Sequence, residues 1–525
     1  MRIAVIGAGP AGLTSAKQAL AAGHRVVLYE RTDTVGGIWN PDSGGAYDGV
    51  RMQSSRMSFP YSDFAPGFGT DFATRGELHG YLRDYARRSG ALETIRFGHT
   101  VTEVVKRDGA WQVTADSLRG PATDAFDAVM VASGELWEPR RPAFVPDAST
   151  GVRVLTAKDY RRPQDLAGRR VLVVGGGVSG ADIAAELAAH GTSVDWSVRR
   201  RALFLPRWCG DHYNDALLSY IGRVAVEELS YQDYLKWLES LLPEYFAQYR
   251  ATGLLPESGF HGAVHVNDRI VPAVHSGAVT VVPAFERFEE DGRVVLTDGF
   301  EGRYDTVLLC MGYGMPNYDF VPELRREELY EHFFHLPDPT LAVINTPVDT
   351  EAFGTACPYF EAIAGWALRV FTGEAVLPPL AERADWCARH MDRLTDRRYY
   401  DCWLETVRIG LAAGTLPDPE RDFTAYWRIV SHQVDPAGLR PDGPEPRPAA
   451  HDHALFDPAA LKHRVLAALP AGARAGLLAC GQITAEEAGA AERVPPGRRI
   501  GPELPYRQRE AADEVFAGAA PRGRG

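Results

Sequence analysis

The sequence predicts an α/β protein in which one layered domain is inserted into another, and three observations predict it. An apolar strand runs into a glycine-rich turn and a helical stretch at residues 3–22. The same succession recurs at residues 170–189. Two further apolar runs, 127–134 and 305–313, each close on a glycine, in Ser133-Gly134 and Gly312-Tyr313. Such runs suit a chain crossing between a domain and its neighbour, so the first domain is expected to be discontinuous.

The first element is the run Ile3 to Ile6, followed by Gly7-Ala8-Gly9-Pro10-Ala11-Gly12, a helical stretch from Leu13 to Ala22, and a second strand from Arg25 to Tyr29 that ends in Glu30. Strand, G-x-G-x-x-G, helix, strand and acid form the complete dinucleotide fingerprint. Gly7 permits the tight turn, Gly9 lets backbone approach a pyrophosphate, and Gly12 lets helix and strand pack closely, with phosphates on the free N–H groups of the helix start. Glu30 is expected to accept from a ribose diol and to repel a 2′-phosphate, which favours FAD or NAD here. Next come Gly36-Gly37-Ile38-Trp39, where paired glycines let backbone approach a flat ligand.

The second element runs from Arg170 to Val174 into Gly175-Gly176-Gly177-Val178-Ser179-Gly180 and a helical stretch from Ala181 to Ala189. Its following strand, Ser193 to Val198, ends in Arg199-Arg200-Arg201. Guanidinium forks at that place suit a 2′-phosphate, so this site reads NADPH. Opposite charge at the two ribose-reading positions implies electron flow from NADPH to FAD. Two nested Rossmann-like domains are therefore expected: an FAD-binding domain at 1–150 plus 305–400, and an NADPH-binding domain at 151–304 carrying an aromatic-rich helical insert near 206–249.

Composition narrows the function classes. With 525 residues, 45% hydrophobic and 24% charged, the chain can bury large cores in two or three domains. A formal net charge of −13 argues against a nucleic-acid or anionic-membrane binder and for small-molecule work. A strand opening at the second residue leaves no room for a cleavable leader, and no apolar run approaches the roughly 18 residues of a spanning helix, so the expected location is cytoplasmic, without membrane insertion. Cys209, Cys310, Cys357, Cys387, Cys402 and Cys480 show no Cys-x-x-Cys spacing, so neither a metal site nor a disulfide framework is expected. A homo-oligomer is compatible with the sequence but not specified by it.

Together with these motifs, the ordered series Gly36-Gly37-Ile38-Trp39, Tyr61-Ser62-Asp63-Phe64, Glu77 to Tyr85, Asp108 to Val113, Pro339 to Ile344 and Tyr399-Tyr400-Asp401 resembles the flavin-containing monooxygenases, class B flavoprotein monooxygenases, over residues 1 to about 410. The resemblance implies that NADPH reduces FAD, that reduced flavin captures molecular oxygen as a C4a-hydroperoxide in a dry pocket, and that a nitrogen or sulfur nucleophile of a small-molecule substrate is oxygenated. It also places Gln53 where relatives carry an active-site asparagine; Ser54, Ser55 and Arg56 follow it as candidates for hydrogen bonds to the flavin or the nicotinamide pyrophosphate, and Val101 is a further cofactor-binding candidate. A second departure is Thr156, standing where the family carries histidine; only Lys158-Asp159-Tyr160 keeps that pattern.

Arg207, Trp208 and His212 are further pocket candidates. The same double fold allows Baeyer–Villiger oxygenation of a ketone, although the extended fingerprint of those enzymes is absent. It also allows a flavin-dependent reductase or oxidase, although no cysteine pair follows Gly36-Gly37. A non-catalytic dinucleotide-binding protein would keep both glycine motifs but fail to reduce its flavin. From 411 to 525 the chain is a Pro-, Ala- and Gly-rich extension in which 459–485 reads as helical.

Overall fold

A computed structural model describes residues 1–257, 264–314, 318–344, 357–390, 401–449 and 452–504. One mixed, mostly parallel sheet and one wholly parallel sheet organise it. In the first, the strands run Leu329–Tyr330, Phe334–His335, Leu341–Val343, Ala128–Val131, Arg2–Ile6, Arg25–Tyr29 and Ile95–Arg96 across the sheet. The last five of these pair in parallel, while the two at the other edge are antiparallel. The second sheet has the order Val279–Val282, Ser193–Ser197, Arg170–Val174, Thr306–Leu309, Arg153–Thr156, and every pairing is parallel.

The central strands are continuous apolar runs because both faces are covered, as parallel sheets require. Ile3, Val5 and Met130 face helices, whereas Ala4, Val129 and Val131 face the three-stranded antiparallel sheet Thr100–Arg107, Ala110–Asp116 and Ala122–Phe126.

The nesting follows the expected plan with one correction to the boundary at 305. Thr306–Leu309 lies inside the second sheet, paired with both Arg170–Val174 and Arg153–Thr156, so the return crossing comes after this strand. Each apolar run is thus the last strand of its own sheet before the chain leaves it. The two crossings lie side by side: Arg140 N–H donates to Gly312 O at 2.9 Å, and Gly314 N–H donates to Glu138 O at 2.7 Å.

Both fingerprint helices start earlier than their apolar periodicity suggests, at Pro10–Ala21 and Val178–Ala189. Proline at the first helical position loses nothing there, since that N–H has no intrahelical partner. The 206–249 insert is not helical throughout. It opens with the hairpin Trp208–Cys209 and His212–Tyr213 before the helices Tyr220–Ala225, Tyr231–Leu241 and Pro243–Ala251. Gly210 at φ 63° makes the reversal, which no hydrophobic period could signal.

The C-terminal extension is folded over its described part, with helices Phe423–Val430, Pro458–Leu466, Ala471–Ala479 and Ala485–Glu492. Phe423, Tyr426, Leu461 and Val465 share one hydrophobic core with Ile3, Leu13 and Leu28 of the first sheet layer. Tyr220, Ile221 and Val224, from within the inserted segment, join that same core. Tyr399, Tyr400 and the tail from 505 onward lie outside the described residues. Among the described residues no helix is long and apolar enough to cross a membrane.

Candidate dinucleotide and oxygenation site

The two glycine turns are built to one plan at the carboxyl ends of the two central strands. Gly7 has φ 102° and Gly175 φ 126°, and a Cβ on either would lie 2.4 Å from Ala132 O or 2.1 Å from Cys310 O respectively. No side chain fits there. Likewise a Cβ on Gly12 would stand 1.8 Å from Gly7 O, and one on Gly180 2.0 Å from Gly175 O, so each helix sits directly on its own turn. Gly7 N–H donates to Tyr29 O at 2.8 Å and Gly175 N–H to Ser197 O at 3.0 Å.

Both helices have glycine N-caps, Gly9 and Gly177, with no capping side chain and no acid in the first turn. The N–H groups around Ala11–Gly12 and Ser179–Gly180 therefore remain available for phosphate, with the positive helix end behind them. The donor set fits a pyrophosphate at each turn.

The ribose-reading positions differ. Glu30 is buried, and its carboxylate accepts from Ala8 N–H at 2.7 Å and from both Thr32 N–H and Thr32 Oγ at 2.9 Å. Of about four acceptor sites on a carboxylate, about one remains for a ribose hydroxyl. Glu30 is therefore first a brace for the turn. By contrast, Arg199 and Arg200 are exposed and form no ion pair among the described residues, while Arg201 pairs with Glu257 at 3.4 Å.

Other candidates gather round the first turn. Gly36 N–H donates to Ala8 O at 2.9 Å, and the short helix Gly37–Trp39, carrying Ile38, lies against Gly9, with Trp39 packed on the main core. Tyr61 Oη donates to Pro10 O at 2.7 Å. Ser62 N–H donates to Glu361 Oε2 at 2.7 Å, and burial pushes the Glu361 carboxyl up to about 7. Val101 sits two residues beyond His99, whose N–H donates to Glu30 O, and packs on the core that contains Ala4, Ile6 and Tyr29. Ser133 O accepts from Trp137 Nε1 at 2.9 Å, and Trp137 carries Arg31 Cζ at 4.4 Å and Lys158 Nζ at 5.1 Å over its ring. Gly312 and Tyr313 form the return crossing, where burial pushes the Tyr313 phenol up to about 12.

Gln53 is partly buried within loop 51–58, beside buried Ser54 and partly buried Arg56, and its side chain makes no hydrogen bond among the described residues. Thr156 is fully buried, and its N–H and Oγ both donate to Asp159 Oδ2, at 2.8 and 2.7 Å. Burial opposes ionisation of Asp159, but the Thr156 hydrogen bonds and Arg141 outweigh it and hold the carboxyl below its ordinary value. Thr156 therefore shapes the turn that presents Lys158.

Trp208 is exposed, 4.5 Å from Tyr213 between ring centroids, and His212 is exposed on the same hairpin, whereas Arg207 is buried. Sequence reasoning missed Asp215, which accepts from Ser55 N–H at 2.7 Å and Ser58 Oγ at 2.5 Å. It also missed Tyr47, whose Oη donates to Asp182 at 2.8 Å on the second fingerprint helix. Burial raises the Asp182 carboxyl above its usual range. An acid in a helical pattern reads as solvated unless its distant partner is known. Among the described residues no cluster of three or more His, Cys, Asp or Glu side chains is arranged to hold a metal ion.

Residues 1–409 match the family model for flavin-binding monooxygenase-like proteins. The chain is 30% identical to flavin-containing monooxygenase 5 of Rattus norvegicus over 438 residues, 78% of this chain and 80% of that one. Among solved structures it resembles S-allyl-L-cysteine S-oxygenase from Allium sativum, with a TM-score of 0.56 at 19% identity over 79% of this chain and 88% of that one. It also resembles open cyclohexanone monooxygenase, with a TM-score of 0.59 at 18% identity over 79% and 98% of the two chains.

Proposed function

The chain belongs to the flavin-binding monooxygenase-like family and is an FAD-dependent NADPH monooxygenase; from that premise we propose that it oxygenates a nitrogen or sulfur nucleophile on a small molecule. The observation that supports the assignment of the cofactors is the pair of matched cradles with opposite charge at the ribose position, Glu30 buried in one and Arg199 and Arg200 exposed in the other. In this reading the Gly7–Gly12 turn binds the FAD pyrophosphate, and Glu30, Gly37, Ile38, Trp39 and Val101 surround the rest of that cofactor. The Gly175–Gly180 turn binds the NADPH pyrophosphate, with Arg199 and Arg200 on its 2′-phosphate. The sheet segments 1–131 and 329–343 then form the FAD-binding domain, and 153–309 the NADPH-binding domain.

Bound FAD, reduced by NADPH, supplies the oxygen-activating chemistry. The protein's own contribution is to bring the two cradles together across the paired crossings, to exclude water, and to offer the Gln53 amide as a hydrogen-bonding group beside the reacting atoms. The preference for nitrogen is supported by the name of a relative 30% identical to this chain, dimethylaniline monooxygenase (N-oxide-forming) 2 of Rattus norvegicus.

The test is single-turnover oxygenation under labelled oxygen, ¹⁸O₂, with a tertiary amine, a thioether and a cyclic ketone offered in parallel. The expected product is an N-oxide or sulfoxide carrying one labelled atom. A labelled lactone from the ketone alone would replace this reading with Baeyer–Villiger oxygenation. Hydrogen peroxide as the sole product with all three would overturn it in favour of an oxidase.

A further inference from the structure

Loop 51–58 belongs to the first domain, yet its two shoulders are held from the insert of the second. On one side Arg207, which is buried, donates from Nε to Met52 O at 2.9 Å and from Nη2 to Arg51 O at 3.3 Å. Its Nη1 pairs with Asp268 at 2.7 Å, and Phe72 lies under the guanidinium with its ring centroid 5.9 Å from Cζ. On the other side a single oxygen of buried Asp215 takes both Ser55 N–H and Ser58 Oγ. Gln53 stands between the two grips.

The insert is itself held by the C-terminal helices. Arg223 donates to the Asp215 carbonyl at 3.2 Å and pairs at 3.2 Å with Asp401, the N-cap of helix Cys402–Ala413. Asp452 accepts from Ser219 N–H at 2.9 Å and from its hydroxyl, at the N-cap of helix Tyr220–Ala225. A loop with few ladder bonds of its own takes the conformation its strongest partners impose, and hydrogen bonds to buried charged groups are the strongest available to it.

We propose that Arg207 and Asp215 are positioning residues that set the conformation of loop 51–58, and with it the placement of Gln53, so that the second domain's insert and the C-terminal extension determine how fully oxygen is delivered to substrate. The proposal rests on the oxygenation reading above. Coupled turnover converts NADPH, H⁺, O₂ and substrate into NADP⁺, H₂O and oxygenated substrate. With the loop displaced, the same two electrons leave as H₂O₂, from NADPH, H⁺ and O₂, and substrate stays unchanged.

The experiment compares full-length wild type, Arg207→Lys, Asp215→Ala and Asp215→Asn by amide hydrogen exchange of peptides covering 51–58, and by the ratio of H₂O₂ to NADPH consumed with a substrate the wild type oxygenates. Lysine keeps a cation opposite Asp268 but lacks the fork that reaches two carbonyls. Asparagine keeps an acceptor for Ser55 and Ser58, and its amide N–H₂ falls where Asp215 Oδ1 has no hydrogen-bond partner among the described residues. In Arg207→Lys and Asp215→Ala we expect exchange in 51–58 to quicken by about tenfold, as loss of a hydrogen bond to a charged group implies, and the H₂O₂ fraction to rise with it. Asp215→Asn, which keeps the acceptor but not the charge, is expected to restore both readouts in part, between Asp215→Ala and wild type.

Unchanged exchange and unchanged coupling in Arg207→Lys overturn the proposal, as does an Asp215→Asn protein indistinguishable from Asp215→Ala. If Asp215→Ala does not fold, the lysine and asparagine variants still decide. A wild type that never oxygenates any substrate sinks the proposed function instead, while hydrogen exchange still judges the clamp.

Discussion

The two glycine turns share a skeleton and differ in what completes them. Around Gly7 everything is closed: Gly37 lies on Gly9, Glu30 bonds the turn's own backbone, and Tyr61 ties the first residue of the helix. Around Gly177 a Cβ would meet nothing within 4 Å, and Arg199 and Arg200 project into solvent without carboxylate partners among the described residues. In the function proposed above, this difference suits a first cradle that keeps its ligand and a second that exchanges one. Closure costs a bound ligand its escape route, whereas an open cradle with unpaired cations leaves phosphate attraction uncommitted until the nucleotide arrives.

The largest test of this contrast is Gly7→Ala. Positive φ and a Cβ at 2.4 Å from Ala132 O should cost more than about 3 kcal/mol, read as lost FAD retention and a lower denaturant midpoint. Next, replacing Arg199 and Arg200 together by Ala should reduce preference for NADPH over NADH by about 10–100-fold, equivalent to about 1.4–2.7 kcal/mol. Flavin content should not change. Competition between the two nucleotides in steady-state reduction measures it, and an unaltered preference would leave the open cradle without its assigned cations.

A third test concerns Glu361, which accepts from Ser62 N–H next to Tyr61. The Glu361 carboxyl is raised to about 7 from its ordinary 4.5, so its contribution to stability is present below pH 4.5 and is lost as pH rises to about 7. Loss should be on the order of 1–3 kcal/mol across that window. Glu361→Gln, which still accepts from Ser62 N–H, should flatten this part of the stability profile and raise the melting temperature at pH 8. Smallest of all, Gly177→Ala should change stability by less than about 1 kcal/mol, the counterpart of Gly7→Ala at an open position. A large loss there would break the contrast.

The cradles were legible because their causes are local. Strand, turn, helix and following strand lie within about thirty consecutive residues, and a glycine that must face a carbonyl announces itself by its spacing. The apolar runs that end at Gly134 and Tyr313 extended that legibility to the nesting, although the strand Thr306–Leu309 was assigned to the wrong side of its crossing. An apolar strand does not say which sheet receives it. The clamp was not legible, since Arg207 meets Met52 across 155 positions and Asp215 meets Ser55 across 160. Nothing in a run of polar residues distinguishes a buried carboxylate from a solvated one until tertiary packing brings its donors. Thr156 illustrates the same limit, because its service to Asp159 depends on a turn rather than on the family position it occupies.

The paired crossings carry one more consequence, for how such a chain is put together and taken apart. Because entry and exit of the inserted segment are joined by two backbone hydrogen bonds, at Arg140 to Gly312 and Glu138 to Gly314, a gene fragment encoding the segment between them has ends that meet in space. It is the natural unit for grafting between homologues, and a short turn would close the host behind it. Helix Tyr220–Ala225 sets the condition on such a graft. It lies in the host's core, so a donor segment must bring an apolar helix that fits there, together with its Arg223, or the recipient is left with a hole beneath its C-terminal helices.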